Sequence, residues 1–302
     1  LTLKRYNSTK DLPDVYMTSD RIDSGYSFSE TEPSVIRVPI GGFETLSLCC
    51  MKDGSTKACV AGWGKEYELP SMFVADPEDS SSRTIRACFL GDSIYITNIE
   101  KTGDATAVIK SAKLSKNSDK AVCGNTDVEL NCVYLDDEPF SFEWQSAWLS
   151  FYEDDHGALF LGDNYLTRHL NVLKTADGGV TWAKAGDDSN LKTDSWHEWV
   201  DFAKFVSDNE GMVSYSYYGH EEMCDRTFVT IDGGKTWKKL SVDYDSNTPA
   251  DTPDDGCVYE ATSLEVENGV YKLTLRRYNG RINLPDVYMT SDRIDSGYKF
   301  TE

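Results

Sequence analysis

Thirty basic against fifty-one acidic residues leave a formal net charge of −21 over 302 residues, of which 39% are hydrophobic. A field of that sign repels phosphate backbones and anionic lipid headgroups, so nucleic acid is not expected as a partner. No apolar run reaches the roughly 18 to 20 residues of a membrane span, so no membrane insertion is expected, and neutral small ligands, cations or other proteins remain.

The chain opens at Leu1-Thr2-Leu3 without Met or a signal segment, which reads as a processed or trimmed product. Residues 1–30 recur at 273–302 with 23 of 30 positions identical (30 − 7 differences). Such repetition settles architecture before any single element does. Between the two copies lies a diverged form of the same frame: a Gly turn, an alternating strand, a polar loop and a second alternating strand. The turns are Lys52-Asp53-Gly54, Leu90-Gly91-Asp92, Asp155-His156-Gly157, Asn209-Glu210-Gly211 and Glu267-Asn268-Gly269. First strands follow as KACVAGW (57–63), SIYITNI (93–99), ALFLGDNY (158–165), MVSYSYY (212–218) and VYKLTLRRY (270–278). Second strands are expected at SMFVAD (71–76), TAVIKSA (106–112), HLNVLKTAD (169–177), RTFVTID (226–232) and DVYMTSD (286–292). Short, evenly spaced alternating strands with turn chemistry between them and almost no helical period predict an all-β fold in one domain over 1–302.

Eight cysteines without a C-x-x-C pair argue against a thiolate metal site. Cys123 with Cys132, Cys224 with Cys257, or Cys59 with either Cys49 or Cys50 can staple neighbouring strands. High acidity, an Asn7-Ser8-Thr9 sequon and abundant Ser, Thr, Asp and Tyr lean toward an extracytoplasmic protein, secreted or at the cell surface.

Two second strands end in a shared motif, Thr175-Ala-Asp-Gly-Gly-Val-Thr-Trp182 and Thr230-Ile-Asp-Gly-Gly-Lys-Thr-Trp237. This resembles the Asp box, or BNR repeat, of the sialidase-like β-propellers, with the pattern S/T-x-D-x-G-x-T-W. Degenerate copies fit at Asp20, Asp76, Asn117 to Asp119, and Asp292. The resemblance implies a β-propeller of four-stranded antiparallel blades, and counting boxes gives six. Five or seven stay open, because no strand precedes Leu1 whereas its twin has ATSLEVE (261–267) upstream, and a 272-residue period also fits a longer tandem array. The box itself is structural: Asp accepts backbone N–H bonds in a tight turn, the glycines take positive φ and the Trp covers the seam.

In such a blade the first-to-second and third-to-fourth turns share one end, and ligands belong to the loops of the other end. Second-to-third loops are expected at 62–70, 162–169, 217–225 and 277–285, and inter-blade loops at 32–42, 136–145, 186–199 and 243–256. They carry Trp63, Lys65, Tyr67, Trp144, Tyr165, Arg168, Trp196, His197, Tyr218 and His220. Aromatics beside carboxylates and amides suit sugar rings, whose C–H faces stack while hydroxyls hydrogen-bond. Arg37-Val38-Pro39 resembles the F/Y-R-I-P motif of sialidases, whose Arg grips the sialate carboxylate. The match then departs: where a second Arg and an Asp acid/base belong, the chain has Lys65, Glu66 and Glu68. A Tyr–Glu nucleophile pair would have to come from Tyr217 or Tyr218 with Glu221 or Glu222, and further Arg from Arg168, Arg226 or Arg277. The strand patterns also resemble non-catalytic Asp-box propellers, such as photosystem assembly factors and sortilin-type receptors, which bind proteins. The resulting expectation is a propeller that recognises a glycan or protein without catalysis, the alternative being an exo-acting, sialidase-type glycoside hydrolase. No cofactor is expected. Asp243-x-Asp245-x-Asn247 imitates the start of a calcium loop, but Thr248 stands where the Gly turn belongs. The four histidines lack paired zinc spacing.

Overall fold

The structure is a computed structural model. It describes residues 2–7, 10–18, 27–28, 34–40, 45–51, 53–74, 83–103, 105–130, 146–162, 170–186, 198–217, 227–240, 257–279 and 282–301. These residues are all-β. A three-stranded sheet, β1 (Thr2–Asn7), β2 (Lys10–Thr18) and β3 (Ser27–Phe28), is followed by five four-stranded antiparallel meanders. The first is β4 (Ser34–Pro39), β5 (Thr45–Cys50), β6 (Thr56–Val60) and β7 (Glu66–Leu69). The second is β8 (Arg83–Leu90), β9 (Ser93–Lys101), β10 (Thr106–Ser115) and β11 (Val122–Glu129). The third is β12 (Ser146–Phe151), β13 (Gly157–Gly162), β14 (Leu170–Thr175) and β15 (Ala183–Lys184). Then come β16 (Glu198–Phe205), β17 (Gly211–Tyr217), β18 (Thr227–Thr230) and β19 (Lys238–Lys239). The last is β20 (Cys257–Glu267), β21 (Val270–Asn279), β22 (Ile282–Ser291) and β23 (Lys299–Thr301).

Successive meanders touch through their first strands, β4 to β8, β8 to β12, β12 to β16 and β16 to β20. That succession is the blade arrangement of a propeller, with the first strand of each sheet innermost. An innermost strand leaves one edge of carbonyls without a sheet partner, and here side chains of the preceding blade fill it. Arg86 Nε donates to Ala147 O at 2.6 Å, Trp148 Nε1 to Val200 O at 3.1 Å and Lys204 Nζ to Leu264 O at 2.8 Å. Burial lowers the pKa of both Arg86 and Lys204.

Middle strands are apolar on both faces because each face meets another blade. β13 is buried at every position. Leu159 and Leu161 pack toward the second blade with Tyr95, Ile99 and Ile109, while Ala158 and Phe160 pack toward the fourth with Val200, Phe205 and Trp237. The same logic joins Leu46 and Leu48 to Ile94 and Ile96, and Phe202 and Met212 to Leu264 and Leu273.

The two T-x-D-G-G-x-T-W turns are superimposable in their bonding. Asp177 Oδ1 accepts from Thr181 N at 2.9 Å and Oδ2 from Thr181 Oγ1 at 2.6 Å, while Thr175 Oγ1 accepts from Gly179 N at 2.9 Å. Asp232, Thr236, Thr230 and Gly234 repeat these distances. Gly178, Gly179, Gly233 and Gly234 all have positive φ, which a side chain would oppose. Trp182 and Trp237 are both 5% exposed. Trp182 Nε1 donates to Ser111 Oγ at 2.9 Å, whereas Val172 takes the place of Ser111 beside Gly234 and the Trp237 indole N–H has no partner. The degenerate turn of the last blade is framed one residue later than Asp292 suggests. Ser291 Oγ accepts from Arg293 N at 3.1 Å, Arg293 stands in the Asp position with its fork on Asp295, and Tyr298 replaces the Trp. At Asn117 the turn keeps the Ser115 Oγ acceptor, at 3.4 Å. Asp20 and Asp76 lie outside the described residues.

One expected strand is absent. SMFVAD is not β6's partner: Ser71 to Val74 form a turn after β7, and the Gly54 turn joins the second and third strands of its blade rather than the first and second. Elsewhere Gly91, Gly157, Gly211 and Gly269 lie at the expected first-to-second turns.

First-to-second and third-to-fourth turns do share an end, as Gly178 N donates to Asp155 O and Gly233 N to Asn209 O, both at 2.8 Å. Neighbouring blades are latched there. Tyr152 Oη donates to Asp208 Oδ1 at 2.8 Å, His156 Nδ1 meets the same oxygen at 2.7 Å, and Lys174 Nζ donates to Asp208 O. The hydrogen bond with Asp208 raises the His156 pKa against a smaller effect of burial.

Two tests address this end. Asp177→Ala or Asp232→Ala should lower stability by about 1 to 3 kcal/mol through lost turn bonds, read from urea unfolding, with ligand binding unchanged in the folded fraction. A raised folded-state pKa at His156 means that its stabilisation is complete below the unfolded value of about 6.5 and fades as pH rises through the higher folded value. Unfolding midpoints should therefore fall across that window in the wild type, and His156→Gln should remove this part of the slope.

Candidate functional site

The end opposite those turns is formed by the second-to-third loops and the blade connections. Its described part begins with the turn at Asp53, whose carboxylate accepts from Ser55 N at 2.9 Å and Ser55 Oγ at 2.6 Å. Gly54 O accepts from Met72 N, which folds 70–74 back over the second blade. There Asn98 Nδ2 donates to Phe73 O at 2.5 Å and to Glu100 Oε1 at 2.8 Å. Lys110 Nζ pairs with Glu100 Oε2 at 2.6 Å and donates to Met72 O at 2.5 Å.

Between the segment 70–74 and the two outer strands of the second blade lies a cavity of about 230 Å³ lined by Pro70, Ser71, Phe73, Lys110, Cys123, Gly124 and Asn125, the last three in register with Ala112, Ser111 and Lys110. Pro70 and Phe73 make part of its lining apolar, and Ser71, Lys110 and Asn125 add a hydroxyl, an ammonium and an amide. Asn98 is fully buried and its Oδ1 lacks a partner. Such a mixture has the chemistry suited to a small ligand with both an apolar face and hydroxyls, because apolar groups remove C–H surface from water while polar groups fix orientation.

A second polar group sits at this end of the last blade. Glu260, 7% exposed, accepts from Arg276 Nε at 3.0 Å, and Arg277 is 9% exposed with no partner at Nε. The predicted loop 277–285 is far shorter than expected, since β21 runs to Asn279 and β22 starts at Ile282.

Several expected site residues belong elsewhere. The segment 61–65 joins the third and fourth strands of its blade, so Trp63 and Lys65 lie at the turn end, and Glu66, Tyr67 and Glu68 follow in β7 as it runs back toward the Gly54 turn. Tyr67 is fully buried and its hydroxyl donates to Ser115 O at 2.8 Å. Trp63 packs edge-on to it, with ring centres 6.2 Å apart, against the core between the first two blades. Lys65 is paired with Asp119 at 2.8 Å. Glu66 pairs with Lys57 at 3.1 Å, and Glu68 stands across the ladder from Lys57. Arg37 is exposed on the flank of the first blade, in register with Ser47 and through it with Cys59 and Glu66. Glu66 and Glu68 thus stand on the outermost strand of the blade while Arg37 is on the innermost one, too far across the sheet for the three to act on one ligand. Trp144, Tyr165, Arg168, Trp196, His197, Tyr218, His220 and Glu221 lie outside the described residues, as do Asp243, Asp245 and Asn247. Among the described residues no group of three or more His, Cys, Asp or Glu is placed to hold a metal ion, and no helix is long and apolar enough to cross a membrane.

Sequence reading missed Phe73 and Lys110. Phe73 was hidden by the displaced strand frame of the first blade. Lys110 had a signal: it interrupts an otherwise apolar row completed by Ala112 and Leu114, and a cation retained in such a row needs a partner or a use.

No family model and no curated protein matches the chain. Among solved structures, the SapL1 lectin in complex with alpha methyl fucoside is 14% identical, with 91% of this chain and 80% of that one covered at a TM-score of 0.43. The fucose-specific lectin from Aleuria aurantia is 13% identical, covering 88% and 76%, at 0.41. The NanB sialidase from Streptococcus pneumoniae is 12% identical, covering 93% of this chain and 39% of that one, at 0.38.

Trp63 supplies the test of the corrected placement. Trp63→Ala should cost about 2 kcal/mol or more of stability by opening a gap beside Tyr67, while ligand affinity in the folded protein stays at the wild-type value. Thermal unfolding and a binding isotherm on the same sample separate the two.

Proposed function

We propose that this chain is an extracytoplasmic Asp-box propeller of the sialidase-like kind that recognises a glycan through its loop end and does no catalysis. The cavity walled by Phe73 and rimmed by Lys110, Asn125 and Ser71 is the observation that carries this reading. The sequence adds further aromatics, Trp144, Tyr165 and Trp196 among them, in segments expected to form loops of that end. The bonding of the two T-x-D-G-G-x-T-W turns supports the Asp-box assignment, and six sheets support a six-membered ring in which β1–β3 counts as one blade. A protein ligand remains the companion reading, since the same loops can present a surface. Neither requires a cofactor. The exo-glycosidase reading is weaker because Arg37 stands on a blade flank and Glu66 is neutralised by Lys57.

A glycan array should show binding that tolerates added salt, because stacking and neutral hydrogen bonds depend little on ionic screening. Ser71→Trp, which fills the cavity mouth from an exposed position, should abolish it. Trp196→Ala should weaken it by about 1 kcal/mol or more, the usual scale for losing an aromatic anchor. Turnover of a fluorogenic sialoside that disappears in Arg37→Ala would replace this proposal with the hydrolase. A silent array together with a protein partner that competes with Ser71→Trp for nothing would favour the protein-binding reading.

A further inference from the structure

The face of the first blade turned away from the second carries two side-chain rows across its four strands. One is Arg37, Ser47, Cys59 and Glu66; the other is Val35, Cys49, Lys57 and Glu68. Cys49 and Cys59 are thus diagonal neighbours on one face of adjacent strands, side by side on the same surface. Both are free and only partly buried. Cys50, the other partner open to Cys59 from the sequence, points to the opposite, buried face and directs its thiol to Leu48 O.

We propose that Cys49 and Cys59 form a thiol–disulfide modification site that takes a small-molecule disulfide such as oxidised glutathione. Cys49 is the attacking sulfur. Its hydrogen bond from Cys59 pulls its pKa down to about 7 against burial and Glu66, with Lys57 directly across the ladder adding to the pull, while the same bond pushes Cys59 up. The Cys49 thiolate attacks one glutathione sulfur, the S–S bond breaks, and the first glutathione leaves as a thiolate that takes a proton from water. Cys59 then loses its proton to water and displaces the second glutathione from the Cys49 sulfur. The protein pair is oxidised by two electrons and glutathione disulfide is reduced to two thiols, so the exchange balances. Diagonal positions in a sheet stand about 7 to 8 Å apart, beyond what a disulfide spans at rest, so the bond closes only with a backbone shift of β5 on β6 and is readily reduced again.

The test treats the full chain with oxidised and reduced glutathione in varied ratio, blocks remaining thiols with N-ethylmaleimide and maps peptides with fragment ions that separate Cys49 from Cys50. A Cys49–Cys59 link that forms, and that reduced glutathione reverses, is the expected result. Cys59→Ser should stop at a glutathione adduct on Cys49, and Cys49→Ser should slow modification at Cys59 by about tenfold or more, following thiolate fraction. The rate at Cys49 should rise with pH to a midpoint near 7, and Lys57→Met should move that midpoint upward. Reaction at Cys49 no faster than at Cys88, whose burial pushes its pKa up to about 12, would overturn the proposal, as would a link through Cys50. Circular dichroism of both serine variants confirms that a slow reaction reflects chemistry and not unfolding.

Discussion

Everything in this molecule depends on sheets packing face to face. A four-stranded meander has two faces and no interior, so it is stable only when each face is covered by another sheet. β13 meets that requirement on both sides, burying Leu159 and Leu161 against one neighbour and Ala158 and Phe160 against the other. Because each inner strand also presents unpaired carbonyls, the face-to-face contact brings a second need, which Arg86, Trp148 and Lys204 answer one blade after another. A cation buried to satisfy a backbone oxygen stays charged only while that oxygen is near, so these contacts tie blade position to charge.

The two ends of the blades are then specialised by chemistry. At the turn end, Asp177 and Asp232 consume their acceptor capacity on their own turns, and Asp208 is shared among Tyr152, His156 and Lys174. Carboxylates so occupied are poor places to bind a ligand. Away from those turns, by contrast, Arg277 Nε near the loop end and Asn98 Oδ1 in mid-strand are buried without partners, and a cavity opens between Phe73 and the outer strands of the second blade. The asymmetry follows from sequence: the box turns fold their Asp and Thr side chains onto their own backbone, which leaves few polar atoms there for a ligand.

Much of this was legible in the sequence, and the failures have a common cause. Alternation with period two located β9, β10, β13, β17 and β21, and T-x-D-G-G-x-T-W located the buried Trp182 and Trp237. Alternation does not say which rank a strand holds within its sheet, however. Gly54 has the positive φ expected of a tight turn, yet it closes the second and third strands, and the error carried Trp63, Lys65 and Tyr67 to the wrong end of the blade. Ser291 shows the same limit at finer scale: Asp292 fits the motif by type, but the hydroxyl that accepts the turn bond sets the frame one residue on. The cavity was illegible for another reason, since it is made by 70–74 folding across β10 and β11, and no local pattern encodes a contact between blades.

Charge narrows the class of ligand that the loop end can take. The chain's −21 would repel an anionic sugar at long range, but at physiological ionic strength that field decays over about 8 Å and only nearby charges decide. At the cavity the Lys110 ammonium is 2.6 Å from Glu100 Oε2, so the pair presents a dipole and little net charge. A bound carboxylate would have to compete with Glu100 for Lys110 and would leave Glu100 facing it, a like-charge contact in a partly buried place. A neutral ring, whose hydroxyls can donate to Glu100 and accept from Lys110 or Asn125, meets no such penalty. For the glycan proposed as its ligand, the local geometry therefore favours an uncharged sugar over a sialylated one.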